Sequence, residues 1–204
     1  MFEKKWDKGQ YVLLPFVSNL NGQGLHYNDM LIYLSLRSFN NRQKGCFPSQ
    51  QAIAKKAGVS KYYIIDSIAR LERTGVIWVK RSEKKHKPNH YFFEELVCPL
   101  KVPIAFFKIT DLTAHEKGML LCLLRLLIPG SRSTIKDISK DLGLTAQQIY
   151  KQYQGLLDKG YIKEELIKKR KKRTLDYDKV DWTYGNNLSE NVAERQAKLT
   201  LKVG

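Results

Sequence analysis

Cysteine is scarce in this chain: Cys46, Cys98 and Cys122 are odd in number and have no metal-ligand spacing. A disulfide framework and a zinc module are therefore not expected, and the three read as ordinary buried thiols of a reducing cytoplasm. Long apolar runs are missing too. The longest, Met119 to Ile128, is ten residues with Arg125 inside it, whereas a membrane span needs roughly 20. It reads as a buried helix, and no membrane partner is expected. Met1 to Gln10 is charged and lacks the apolar stretch of a secretory signal, so a cytoplasmic location is expected.

Catalytic constellations are equally hard to find. "GLLDKGYI", residues 155 to 162, has the two-glycine spacing of a phosphate loop but not its Lys and Ser/Thr, so it reads as a helix ending at Gly160. Asp176, Asp178 and Asp181 lack the glycine and terminal Glu of a calcium loop. His115-Glu116 lacks the second histidine of a zinc protease, and His26, His86, His90 and His115 are scattered. The expectation is a non-enzyme with no cofactor and no metal.

Acidic residues are also outnumbered, 20 against 36 Lys and Arg, which leaves a net charge of +16 and a pI near 9.7. A chain this basic usually meets a polyanion. Its 204 residues, 43% of them hydrophobic, allow one or two domains with a proper core.

What is present is a pattern. "PSQQAIAKKA", residues 48 to 57, fits a short helix capped by Ser49, with Ala52, Ile53 and Ala57 on one face. Gly58-Val59 makes a tight turn, and Ser60 caps a second helix in which Ile64, Ser67, Ile68 and Leu71 recur at helical spacing up to Gly75. Two helices joined by so short a turn are a helix-turn-helix unit. "VIWVKR" (76 to 81) and "HYFFE" (90 to 94) then read as strands around the basic loop "SEKKHKPN". A helix-turn-helix followed by a β-hairpin is a winged helix.

The pattern recurs 85 residues later without a gap. Ile53, Gly58, Ser60, Ile64, Leu71, Gly75 and Ile77 fall on Ile138, Gly143, Thr145, Ile149, Leu156, Gly160 and Ile162. Thr145 with Gln148, and Thr113 with Glu116, have capping-box spacing. Leading helices are expected over His26 to Phe39 and Thr113 to Leu127. "KKRKKR" (168 to 173) reads as the second basic loop, and "CPLKVPIAFF" (98 to 107) as the junction and first strand of the second unit. The expected fold is α+β, with tandem winged helix-turn-helix domains over 1–100 and 101–180. "LSENVAERQAKL", capped by Ser189, is either a helix packing back on the domain or a partner, or a loosely ordered tail, within 181–204.

Leu25, Tyr33-Leu34, Arg37-Ser38-Phe39-Asn40, Phe47-Pro48-Ser49-Gln50, Ile53-Ala54, Gly58-Val59-Ser60 and Leu71-Glu72-Gly75 together carry a resemblance. Residues 25 to 81 resemble the helix-turn-helix (winged-helix) domain of plasmid replication initiators and phage replisome organisers. The resemblance implies the fold, duplex DNA as partner, and a role in replication initiation or its control. The same domain type also serves transcription regulators. The second unit resembles only the general winged-helix pattern. The family usually has basic or polar residues where this chain has Tyr62, Ile65 and Asp66.

The expected DNA-facing residues of the first unit are Ser60, Lys61, Tyr62 and Ile65, with Lys84, Lys85 and Lys87 in the wing. Ile65 has two readings: an exposed contact to a thymine methyl, or a core residue if the helical phase is shifted by one. In the second unit they are Thr145, Gln147, Tyr150, Lys151 and Gln154, with Lys168, Lys169, Arg170, Lys171, Lys172 and Arg173 neutralising phosphates. Gln147 suits bidentate adenine recognition and Lys151 suits phosphate or guanine. Two such helices in one chain would act as an internal pseudo-dimer, or the chain would form a homodimer on DNA; replication or transfer proteins are further candidate partners. Two other roles stay open: a transcription regulator or accessory of conjugative transfer, and a protein-interaction adaptor with one degenerate winged helix.

Overall fold

The computed structural model describes residues 11–41, 43–84, 87–96, 99–126, 134–167 and 170–176. The segment from Ser189 to Leu199, together with Lys85, Lys168 and Lys169, lies outside them. The described residues form an α+β fold of six α-helices and three two-stranded antiparallel sheets.

The centre is α1 (Asp29–Arg37), in which every residue from Asp29 to Leu36 is buried. A helix apolar on all sides is stable only when neighbours cover all of it. Here β1 (Tyr11–Leu14), α2 (Gln50–Ala57), α3 (Lys61–Arg73) and α4 (Ala114–Leu126) do so. The helix starts three residues later than its expected N-terminus, because the Asp29 carboxylate accepts the His26 N–H at 2.8 Å and holds a turn there.

Local signals set the next two helices. Ser49 Oγ accepts the Ala52 N–H at 3.1 Å and Ser60 Oγ accepts the Tyr63 N–H at 3.2 Å. Gly58, at φ 73°, ends α2 in the left-handed region that glycine enters without penalty. Helix α2 buries Ile53, Ala54 and Ala57, so Ala54 rather than Ala52 completes its inward face. Helix α3 buries Ile64, Ser67, Ile68 and Leu71, the expected set. The hairpin of β2 (Ile77–Lys80) and β3 (His90–Phe93) follows.

The second half repeats this order. Helix α5 (Ile135–Leu142) begins at a Thr134–Asp137 capping box and ends at Gly143, φ 65°. Helix α6 (Ala146–Asp158) begins at the Thr145–Gln148 capping box and buries Ile149, Tyr153 and Leu156. Strands β5 (Ile162–Ile167) and β6 (Arg170–Leu175) make the closing hairpin. The basic segment departs from the expected loop: Arg170 to Arg173 lie in β6. The register explains it, since Glu164 and Glu165 stand opposite Arg173 and Lys172, and opposite charges across a ladder favour the strand.

A strand not expected from the sequence joins the halves. β1 pairs with β4 (Leu100–Pro103), from Tyr11↔Pro103 to Leu14↔Leu100, so a strand assigned to the junction and second unit completes a ladder with the N-terminal segment. The boundary at residues 100/101 runs through β4, which leads into a 3-10 turn (Ile104–Lys108). Helix α4 lies on α1, the Asn21 N–H donates to the Asp141 carbonyl at 2.9 Å, and one continuous apolar core runs through both units. Cys46 and Cys122 are buried in it. Among the described residues no helix is long and apolar enough to cross a membrane.

Candidate nucleic-acid interface

Burying Ile64, Ser67, Ile68 and Leu71 turns the opposite side of α3 outward: Lys61, Tyr62, Ile65, Asp66 and Ala69 form its exposed face. Tyr62 is 83% exposed and Ile65 43% exposed. The core reading of Ile65 is therefore set aside, and its side chain stands beside Tyr62 on the outer surface. The Ser60 hydroxyl accepts the Tyr63 N–H as the cap, and its own O–H remains a donor on the exposed N-terminus of α3.

The back of α3 is anchored by charge. Arg70 donates from Nε and Nη2 to the two carboxylate oxygens of Asp29, both at 2.8 Å, and Ser67 Oγ donates to Asp29 Oδ1 at 2.7 Å. Asp29 is fully buried. With the His26 N–H, four donors surround it, which meets the requirement for keeping a charge inside a core. Tyr63 of α3 reaches His26 Nδ1 at 3.0 Å. Burial holds His26 below its ordinary 6.5, although the charge of Asp29 works in the opposite direction. Helix α3 is thus clamped to α1 by groups far apart in the sequence.

The equivalent outward face of α6 carries Ala146, Gln147, Tyr150, Lys151 and Gln154. The Thr145 hydroxyl caps the helix through the Gln148 N–H at 3.2 Å. Gln154 is partly committed, since its amide donates to Asp158 at 2.6 Å. Gln147 and Lys151 are exposed and one turn apart on the same face. Tyr150 is half exposed, with the Arg173 guanidinium 5.7 Å from its ring centroid.

Arg173 departs from its expected role as a phosphate ligand. Its side chain is 15% exposed, pairs with Glu164 at 2.9 Å, and lies 5.5 Å from the Tyr153 ring centroid. It fastens the hairpin to α6, using cation–π attraction in a place where water is largely excluded. Of Arg170, Lys171 and Lys172 the backbone is placed in β6.

In the first wing, Lys84 and Lys87 are exposed, and the Lys87 N–H closes on the Lys84 carbonyl at 3.2 Å. Arg81, at the root of the loop, is held by Glu72 of α3 through a fork of 2.5 and 2.8 Å. These hydrogen bonds keep Glu72 below the usual carboxylate range. That fork was not anticipated from the sequence, where Arg81 stands at the end of the expected strand 76 to 81.

Helix α4 repeats the clamp with different atoms. Lys159 Nζ donates to both oxygens of Glu116 at 2.7 Å, while the Thr113 N–H and hydroxyl donate to Glu116 Oε2 at 2.7 and 2.9 Å. Burial pushes the Glu116 carboxyl up, but the Lys159 and Thr113 hydrogen bonds outweigh it and hold it below 4.5.

The arrangement is two capped helices, each with one face open to solvent and followed by a hairpin, on a +16 chain. Such faces can enter a major groove while nearby cations meet the backbone. No curated protein and no solved structure matches the chain. A family model described as "Helix-turn-helix domain" matches residues 23–77, a segment that runs from the turn before α1 to the start of β2. Residues 23–77 of this chain are thus similar to a helix-turn-helix domain.

Proposed function

We propose that the chain is a tandem winged-helix protein that binds duplex DNA site-specifically and without catalysis. The carrying observation is the outward face of α6, where Gln147 and Lys151 lie exposed on a capped helix in the position α3 occupies within the matched domain. Gln147 reads adenine, Lys151 reaches phosphate or guanine, and the segment from Lys168 to Lys172 neutralises phosphates with Lys84, Lys85 and Lys87. With both helices engaged, one molecule covers two major-groove segments about 34–36 Å apart.

Replication initiation for a plasmid or phage, or its control, is the role favoured by the resemblance of residues 25 to 81. Repeated binding sites beside the gene would support it, whereas a single promoter or a transfer operon would favour transcription control or conjugative transfer. A second reading has its own observation: Tyr62 and Ile65 are exposed together beside Asp66, a surface suited to protein and poorly suited to phosphate. On that reading α3 is an adaptor face and α6 alone reads DNA.

The test is footprinting and salt titration with the full chain, since β4 and α4 complete the packing around α1. Log affinity against log salt should fall steeply, reflecting on the order of 5 to 10 released counterions. Alanine at Lys168 to Lys172 should flatten the slope and weaken all duplexes alike. Absence of any discrete footprint at low salt would overturn site-specific binding.

A further inference from the structure

The first hairpin has an outer face that duplex reading by α3 and α6 does not use. The register pairs Trp78 with Phe92 and Lys80 with His90, and these four residues share one side of the sheet. The other side is spoken for: Ile77 and Tyr91 are buried, and Phe93 packs edge-on against Tyr33 of α1. The outer side is left open, with Trp78 50% and Phe92 42% exposed.

Two of the rings on that side, His90 and Phe92, already lie against each other. His90 lies between Phe47 and Phe92, with both centroid distances 3.9 Å and interplanar angles of 28° and 38°. Phe47 comes from the segment before α2 and is itself 47% exposed. Gly45 makes room for it. A Cβ there would lie 2.8 Å from His90 Nε2 and 3.0 Å from Phe47, so any side chain at 45 would press on the two rings. A soluble protein gains nothing in stability by leaving three large aromatic rings half in water. None of the four register-fixed residues is acidic; Lys80 stands at the end of the face next to the loop carrying Lys84 and Lys87.

Open-ended aromatic stacks bordered by cations hold unpaired bases, because every base offers a π-face and its phosphate meets the lysine. We propose that Trp78, Phe92, His90 and Phe47, with Lys80, form a stacking platform for single-stranded nucleic acid. The platform is independent of duplex reading by the two helices, and either can fail without the other. A protein partner is the competing occupant. The cationic border and the bare ring faces favour the polyanion.

The experiment measures anisotropy of labelled oligo(dT), oligo(U) and a random duplex, each about 20 nucleotides long, titrated with the full chain. Trp78→Ala and Phe92→Ala should each weaken single-strand binding by about 5- to 100-fold and leave duplex binding unchanged. Trp78→Phe keeps a ring and should retain most of the affinity, which separates stacking from damage to the hairpin. Thermal melts of the variants should show a folded chain with a cooperative transition, since both side chains are only half buried and stand outside the core. Equal preference for oligo(dT) and oligo(U) assigns the site to bases of either backbone, and a preference for one names its source. Equal loss on single strand and duplex would overturn the proposal, as would no loss on either. Self-association abolished by Trp78→Ala, with single-strand affinity intact, would replace it with a protein interface.

Discussion

The unit built on α1, α2 and α3 and the unit built on α4, α5 and α6 solve one problem in two ways. Each must fix its third helix against its leading helix, and each uses an acid in the leading helix's first turn. In the first unit the partner is Arg70, which grips fully buried Asp29 with a two-pronged fork. The residue 85 positions later is Gly155, not a cation. There a Cβ would lie 2.3 Å from Glu116 Oε1, so the carboxylate occupies the room an arginine stem would need. Lys159, one turn further on, supplies the charge instead. The outward faces diverge as well: Tyr62, Ile65 and Asp66 on α3 correspond to Gln147, Tyr150 and Lys151 on α6. A shared scaffold thus leaves exposed positions free to change, because nothing in the core depends on them.

The largest expected effect tests the two clamps against each other. Arg70→Met should cost about 3 kcal/mol in chemical denaturation, since it leaves the Asp29 charge buried without its main partner. Lys159→Met should cost about 1 kcal/mol, because Lys159 is 32% exposed and Glu116 keeps its bonds from Thr113. Equal losses would break the distinction between a buried fork and a rim pair.

Base reading should come next in size. Gln147→Ala should lose about 1 to 3 kcal/mol on the cognate duplex and little on random DNA, by competition binding. A loss shared by both sequences would reassign Gln147 to backbone positioning. The matching change on α3, Tyr62→Ala, should weaken cognate and random DNA equally if Tyr62 meets phosphate or sugar.

Acid sensitivity sharpens the contrast from another side. Glu116 is held below its ordinary 4.5, so the folded chain binds fewer protons there than the unfolded chain. Its stabilisation is complete above pH 4.5 and is lost as pH falls through the lowered native value. Melts of Glu116→Gln should therefore show a shallower decline below pH 4.5 than the parent. An identical decline would remove Glu116 as a source of acid lability.

The smallest effect is expected at Asp66. On the DNA reading, Asp66→Asn should raise general affinity by well under 1 kcal/mol, as befits one screened exposed charge, or relax preference at one base pair. On the adaptor reading it should leave DNA binding untouched, and Ile65→Lys should instead reduce an association visible by light scattering.

Much of this architecture was legible along the chain because its signals are short-ranged. The caps at Ser49, Ser60 and Thr145 act across three residues, and the glycine turns at Gly58 and Gly143 act across one. Period-3.6 spacing marked Ile64, Ser67, Ile68 and Leu71 as the inward face, and so left Tyr62 and Gln147 outward. The same reasoning misjudged Arg170 to Arg173, because a run of like charges reads as loop until the acids of the opposing strand are aligned with it.

The sequence by itself determined the helices, their order and, for α3 and α6, which side faces water, since turns, caps and periodicity are written within a few residues. Only the tertiary structure decided that β1 closes on β4, that Arg70 turns to buried Asp29 rather than to a surface acid, and that Arg173 turns inward onto Tyr150 and Tyr153. It also decided that Phe47 stacks on His90. Each of these joins groups tens of residues apart, and a pairing of that kind is chosen by the packing of the whole core, which no local pattern records.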